Sequence, residues 1–203
     1  MLQKFRRQRP AAPETGAVAE VPSQIVFRAY ADDYTVSGEI EVPEGRLHEL
    51  LEHVDDLAVQ KVRLRALDDG RQHDLPSAVI RREELCAVVA TGPRGDPHRR
   101  YRTRSYPMRA VVGPYTVIGY VHATPNVDPM TWIHRRQIVA LSPARIAFDL
   151  AGERIEELQD ALLLIRSKID VLQSATDEAV RLATGVDGSP THDGPEADEG
   201  PIG

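Results

Sequence analysis

Residues 25–42 read IVFRAYADDYTVSGEIEV, and residues 106–123 read YPMRAVVGPYTVIGYVHA. Set against each other, Arg28 meets Arg109, Ala29 meets Ala110, Tyr34-Thr35-Val36 meets Tyr115-Thr116-Val117, and Gly38 meets Gly119. These are six identities in eighteen positions, where chance gives about one at ordinary residue frequencies. After one inserted residue the correspondence continues: Ala58 meets Ala140, Arg63 meets Arg145, Leu64 meets Ile146 and Gly70 meets Gly152. Two residues further out of register, Arg82 meets Arg166, Leu85 meets Ile169 and Val88 meets Leu172. A drift that grows only by small insertions between runs of apolar residues is the signature of a duplicated folding unit.

One copy reads as β-rich. Ile25, Phe27 and Ala29 alternate with Val26, Arg28 and Tyr30, which places one set on each face of a strand. Asp32-Asp33 turns the chain, and Val36, Gly38, Ile40 and Val42 alternate in a second strand that should pair with the first as a hairpin. Gly38 and Gly119 fall mid-strand in both copies, so a bulge, a sharp bend or a close backbone approach is expected there. Tyr34 and Tyr115 are the matching aromatic positions of the repeat. Leu47, Leu50, Leu51 and Val54 recur at helical spacing, predicting a short amphipathic helix over 46–55. Its counterpart opens with Asp128 followed by Pro129, an N-cap with proline in the first turn, and turns Met130 and Ile133 inward. Val62, Leu64 and Ala66 predict a third strand, and Val79-Ile80 and Leu85 to Val89 the last ones.

One stretch carries two opposed signals. Ile155, Leu158, Leu162, Ile165, Ile169 and Leu172 follow a heptad-like spacing, without Gly or Pro from Glu153 to Ala183. The repeat aligns the same stretch with Gly70–Val89, where Pro76 disfavours a continuous helix. The repeat constrains the whole chain, so strands are expected over 154–172. A helix is expected over 176–184, opened by Thr176-Asp177-Glu178 and closed by Gly185.

The predicted fold is therefore mainly β (α+β), with two tandem small barrel- or sandwich-like repeats, each with a short helix, and a C-terminal helix. The expected boundaries are an N-terminal arm at 1–22, a first repeat at 23–92, and an Arg-rich joint at 93–105. A second repeat at 106–174, a helix at 175–185 and an acidic tail at 186–203 complete the chain. The arm is rich in Ala, Pro and Glu and lacks periodicity, and the tail is rich in Pro and Gly. Both compositions predict disorder. The formal net charge is −6. Gly185 to Gly203 supplies most of it, with Asp187, Asp193, Glu196, Asp198 and Glu199 and no Lys or Arg. The body is close to neutral.

Tyr34-Thr35-Val36-Ser37-Gly38-Glu39-Ile40-Glu41-Val42-Pro43-Glu44-Gly45-Arg46-Leu47, continuing to Leu50-Leu51, resembles an uncharacterised bacterial domain family of small β-rich proteins. Members read as a strand with a central Gly, a Pro, then Arg-Leu and a short helix. Leu141-Ser142-Pro143-Ala144-Arg145-Ile146 and Leu164-Ile165-Arg166-Ser167-Lys168-Ile169 are similar to its following strands. The resemblance implies strands at 163–172. It implies no activity.

Composition narrows function mainly by exclusion. No apolar run approaches the roughly 18 residues of a membrane span, and the basic start is followed by Pro10-Ala11-Ala12-Pro13-Glu14 rather than an apolar signal segment. A cytoplasmic protein is expected. Three lysines against 22 arginines, with abundant Ala, Asp and Gly, suggest a GC-rich bacterial genome, so arginine richness says little about function. The single cysteine, Cys86, lies in an apolar run and reads as a buried hydrophobe. His48 and His53 are five apart on the predicted helix, which rotates them away from the shared face that a zinc pair needs. Gly92-Pro93-Arg94-Gly95-Asp96 lacks the ending of a phosphate loop. Asp32-Asp33 and Asp55-Asp56 fall at turns. No catalytic, metal or cofactor residue is assigned, and the protein is expected not to be an enzyme.

The strongest functional signal is the joint His98-Arg99-Arg100-Tyr101-Arg102-Thr103-Arg104-Ser105-Tyr106, with four arginines and two tyrosines. Arg pairs phosphates and Tyr stacks on bases, so Arg99, Arg100, Tyr101, Arg102, Arg104 and Tyr106 are candidate contacts to a partner or to a nucleic acid. A pI near 5.7 argues against a dedicated nucleic-acid binder. The leading expectation is a non-enzymatic interaction or scaffold protein presenting β surfaces to a protein partner. Nucleic-acid binding through 98–106 and small-ligand sensing are the alternatives, and the oligomeric state is left open.

Overall fold

Apolar alternation and turn residues build an almost entirely antiparallel protein. The computed structural model describes residues 23–42, 46–91 and 103–185. The arm 1–22, most of the joint 93–105 and the tail 186–203 lie outside the described residues.

The first half runs β1 (Ser23–Ala31), β2 (Tyr34–Val42), α1 (Leu47–His53), β3 (Asp56–Ala66) and β4 (Gln72–Arg81). A 3₁₀ turn at Arg82–Glu84 then leads into β5 (Leu85–Val89). The second half runs β6 (Arg104–Val112), β7 (Tyr115–Ala123), α2 (Pro129–His134), β8 (Ile138–Leu150), β9 (Glu153–Gln159) and β10 (Leu162–Ile165). A 3₁₀ turn at Arg166–Lys168, β11 (Ile169–Ser174) and α3 (Asp177–Thr184) follow. The stretch 154–172 is thus strand and turn, and the heptad spacing forms no helix. The helix ends use the capping residues read from the chain. Asp128 accepts the Thr131 backbone N–H at 2.8 Å, Thr176 accepts that of Ala179 at 3.1 Å, and Gly185 closes α3 with φ 69°.

Among the described residues, the strands form one sheet in the order β11-β6-β7-β8-β10-β5-β1-β2-β3-β4, with β9 also paired to β8. The expected small barrels are not closed. In the first half, closure would require β5 to pair with β4. Instead the edge of β5 is taken by β10 of the other half, with Leu162 opposite Val89, Leu163 opposite Val88 and Leu164 opposite Ala87. This leaves β4 paired on one side only, to β3.

The shared pair β10–β5 also shares the core. Leu163 and Ile165 pack into the apolar cluster of the first half with Phe27, Leu51, Leu57 and Val88. Ala87 and Val89 pack into the cluster of the second half with Leu162, Leu164, Met108 and Ile146. Both faces of these short strands are therefore covered, which is why Leu162 to Ile165 and Leu85 to Val89 are apolar without alternation. Tyr30 crosses the joint and meets Tyr115 and Phe148 edge-to-face, with ring centroids 5.4 Å and 5.8 Å away.

Gly38 and Gly119 sit where β2 meets β3 and β7 meets β8, next to a shift of register in each pair. A Cβ on Gly38 would lie 2.6 Å from the Gln60 carbonyl oxygen, and one on Gly119 would lie 2.5 Å from that of Pro143. Both glycines thus permit a close backbone approach at a bulge.

Candidate functional site

The joint between the halves gathers polar side chains from both. Arg28 on β1 donates through Nη2 to both carboxylate oxygens of Glu157 on β9, at 2.6 Å. Tyr30 Oη donates to the same carboxylate at 2.5 Å, and Gln159 Nε2 donates to Tyr30 Oη at 3.1 Å. Burial and the Glu157 carboxylate push the Tyr30 hydroxyl well above its ordinary pKa. Tyr115 is buried and donates to the Ala31 carbonyl at 2.6 Å, whereas Tyr34 is half-buried against the first core.

In the turn after β1, Asp32 accepts from Lys168 Nζ at 2.6 Å and from Cys86 Sγ at 3.1 Å. The Lys168 ammonium holds the Asp32 carboxyl below its usual range, and Asp32 in return raises Lys168. Burial, reinforced by Asp32, pushes the Cys86 thiol up to about 12. A thiol held protonated is a poor nucleophile, so this cluster is a cross-link between halves rather than a reactive centre.

Also between the halves lies a half-open cavity of about 420 Å3 lined by Arg82, Glu83, Arg136, Gln137, Ile165, Arg166 and Ser167. Arg82 is held by the Leu51 carbonyl at 2.7 Å, by Asp55 Oδ1 at 2.6 Å and by Gln137 Oε1 at 3.3 Å. Arg166 reaches His134 Nδ1 at 2.7 Å, and its buried Nε–H has no acceptor among the described residues. Arg136 lies over the Trp132 ring, 4.7 Å from the centroid. A second, open groove of about 670 Å3 runs between α3 and the sheet, with Arg109, Arg145 and Arg154 in its lining. Arg145 is engaged there by Glu156 at 3.0 Å and by the Ala183 carbonyl.

Among the described residues, β4, β9 and β11 each pair on one side only, and β4 is the longest of the three. Its ten residues alternate little, and Leu75 and Val79 stand 41% and 68% exposed. Protein sheets ordinarily shorten or cover such an edge.

Of the candidate contacts read from the joint, only Arg104 and Tyr106 are among the described residues. They lie on β6, with the Arg104 guanidinium 5.6 Å from the Tyr106 ring centroid, so each occupies the other. Arg99, Arg100, Tyr101 and Arg102 lie outside the described residues. The described residues contain no cluster of three or more metal-ligating side chains, and no helix long and apolar enough to cross a membrane.

No family model, curated protein or solved structure matches this chain.

The cavity arginines and the β4 edge were not singled out by sequence reasoning. A signal for the former existed: Arg82 and Arg166 are aligned in the expected repeat. For β4, the signal was the apolar Val79-Ile80 on the far side of Pro76, which reads equally as a covered strand.

Proposed function

We propose that the protein is a non-enzymatic interaction protein built from a duplicated β unit, and that it docks a protein partner by strand addition along β4. Register supports the duplication. Ala29 pairs with Val88 in the first half and Ala110 with Leu172 in the second. Val59 pairs with Ala78, and Leu141 with Leu162. These are matched pairs at the offsets that align the two sequences.

One observation carries the docking. Ala78 to Arg81 on β4 hold the register on β3 that Leu162 to Ile165 hold on β8. In the second half the outer edge of that segment receives a strand, Ala87-Val88-Val89. In the first half the same edge is open, with Val79 exposed where Leu163 is 2% exposed. The partner this edge fits is an extended, apolar segment resembling β5, held by main-chain hydrogen bonds.

The experiment is affinity capture from native lysate with the full chain and with Val79→Lys, followed by amide exchange on the complex. The expected result is a stoichiometric partner kept by the wild type, lost by Val79→Lys, and slowing exchange across 75–81. A partner held equally by both proteins, or no stoichiometric partner together with turnover on a substrate, overturns the reading.

A further inference from the structure

We propose that the cavity of about 420 Å3 at the joint binds a small oxyanion of the phosphate or phosphate-monoester type. Two backbone frames flank the cavity in matching form. The Arg82 N–H donates to the Asp55 carbonyl at 2.7 Å, and the Arg166 N–H donates to the Gln137 carbonyl at 2.9 Å. In the first frame the residue that accepts the backbone bond also supplies a carboxylate, and Asp55 Oδ1 neutralises Arg82 at 2.6 Å. In the second frame that residue is a neutral glutamine, whose Oε1 turns to Arg82 instead.

Among the described residues, Arg166 is thereby left without an acid. Its side-chain hydrogen bond there goes to a ring nitrogen of His134, and its buried Nε–H has no acceptor among them. A buried guanidinium N–H without a partner is costly, and an oxyanion satisfies it with a charge-assisted bond. Arg136 adds a second guanidinium whose contact is the face of Trp132, with no acid paired to it among the described residues. The one acid in the lining, Glu83, is engaged by Arg81 at 3.1 Å. Arg81 is shared with Glu84 at 2.6 Å, so Glu83 offsets part of the two guanidinium charges and a net positive charge remains, which suits an anion. Gln137 spends its oxygen on Arg82, so its amide N–H groups remain as donors, and the Ser167 hydroxyl is a further neutral donor in the lining. Ile165 supplies an apolar wall for a carbon substituent on the anion.

The test follows the thermal midpoint of the full chain as inorganic phosphate is titrated, with sodium chloride at equal ionic strength and sodium acetate as comparators. Binding to the folded state raises the midpoint with ligand concentration. The expected result is a rise with phosphate that exceeds those with chloride and acetate. Arg166→Gln is expected to weaken phosphate binding at least about tenfold. Gln137→Asp, an exposed position, supplies the missing acid from within and is expected to abolish the phosphate response while the protein stays folded. Val79→Lys, at the docking edge, leaves the response intact, so this site and the partner edge fail or stand separately. A phosphate effect no larger than that of chloride overturns the proposal. So does an equal effect of acetate, or a response that survives both Arg166→Gln and Gln137→Asp.

Discussion

Adding one methyl group at Gly119 tests how closely β7 and β8 approach. The Cβ of Gly119→Ala would stand 2.5 Å from the Pro143 carbonyl oxygen and 3.0 Å from Ala144 Cα. A carbon and an oxygen in ordinary contact need several tenths of an ångström more, and both obstacles are backbone held in the β7–β8 ladder. No side-chain rotation relieves the clash, so the strands must part locally. Overpacking of this kind costs about 1–3 kcal/mol. The lost flexibility of the unfolded chain returns about 0.4–1 kcal/mol. At mid-range a net loss of about 1.3 kcal/mol remains, which in a chain of this size lowers the thermal midpoint by about 3–5 °C. Thermal unfolding followed by circular dichroism measures it. Gly38→Ala, with a Cβ 2.6 Å from the Gln60 carbonyl oxygen, is expected to behave alike. A Gly119→Ala midpoint equal to the wild type would refute the close approach, and with it the bulge that bends the sheet there.

Leu163→Ala empties a side chain that one half inserts into the core of the other, and is expected to cost about 2–5 kcal/mol while leaving a single unfolding transition; two separate transitions would show that the halves do not share a core. Asp32 has a depressed pKa, so its contribution is complete above the ordinary aspartate value and is lost as pH falls through the lower folded value. Denaturant titrations from neutral pH downward should show that acid-dependent loss in the wild type and less of it in Asp32→Asn. Cys86, with its thiol pushed up to about 12, should resist a thiol reagent near pH 8 in the folded protein and react once the protein is denatured. Tyr30 and Tyr115 are raised by burial, so ultraviolet titration should leave these two hydroxyls protonated where exposed tyrosines ionise.

Local chemistry was the legible part of this chain. The β1–β2 and β6–β7 hairpins follow from alternation and turn residues, and α2 and α3 from Asp128, Thr176 and Gly185. The mid-strand glycines announced the bulges. Over 154–172 the heptad spacing arises by accident, because Leu162 and Ile165 belong to a strand covered on both faces and Ile169 follows a turn. The correspondence with Gly70–Val89, and over 163–172 the family resemblance, argued against a helix. The joint was not legible. Pairing β5 with the apolar β10 rather than with the more polar β4 is settled by how Tyr30, Leu163 and Ile165 fill the two cores. The cavity arginines follow from that choice, since Arg82 and Gln137 meet only when the halves are packed.

Residue-resolved amide hydrogen exchange of the free protein tests the central claim most directly. The account predicts slow exchange at every amide of Leu162–Leu164, which is paired on both sides. In Ala78–Ile80, the amides facing away from β3 should exchange quickly. Uniform protection of β4, or fast exchange through Leu162–Leu164, would contradict both the shared pair and the open edge that follows from it.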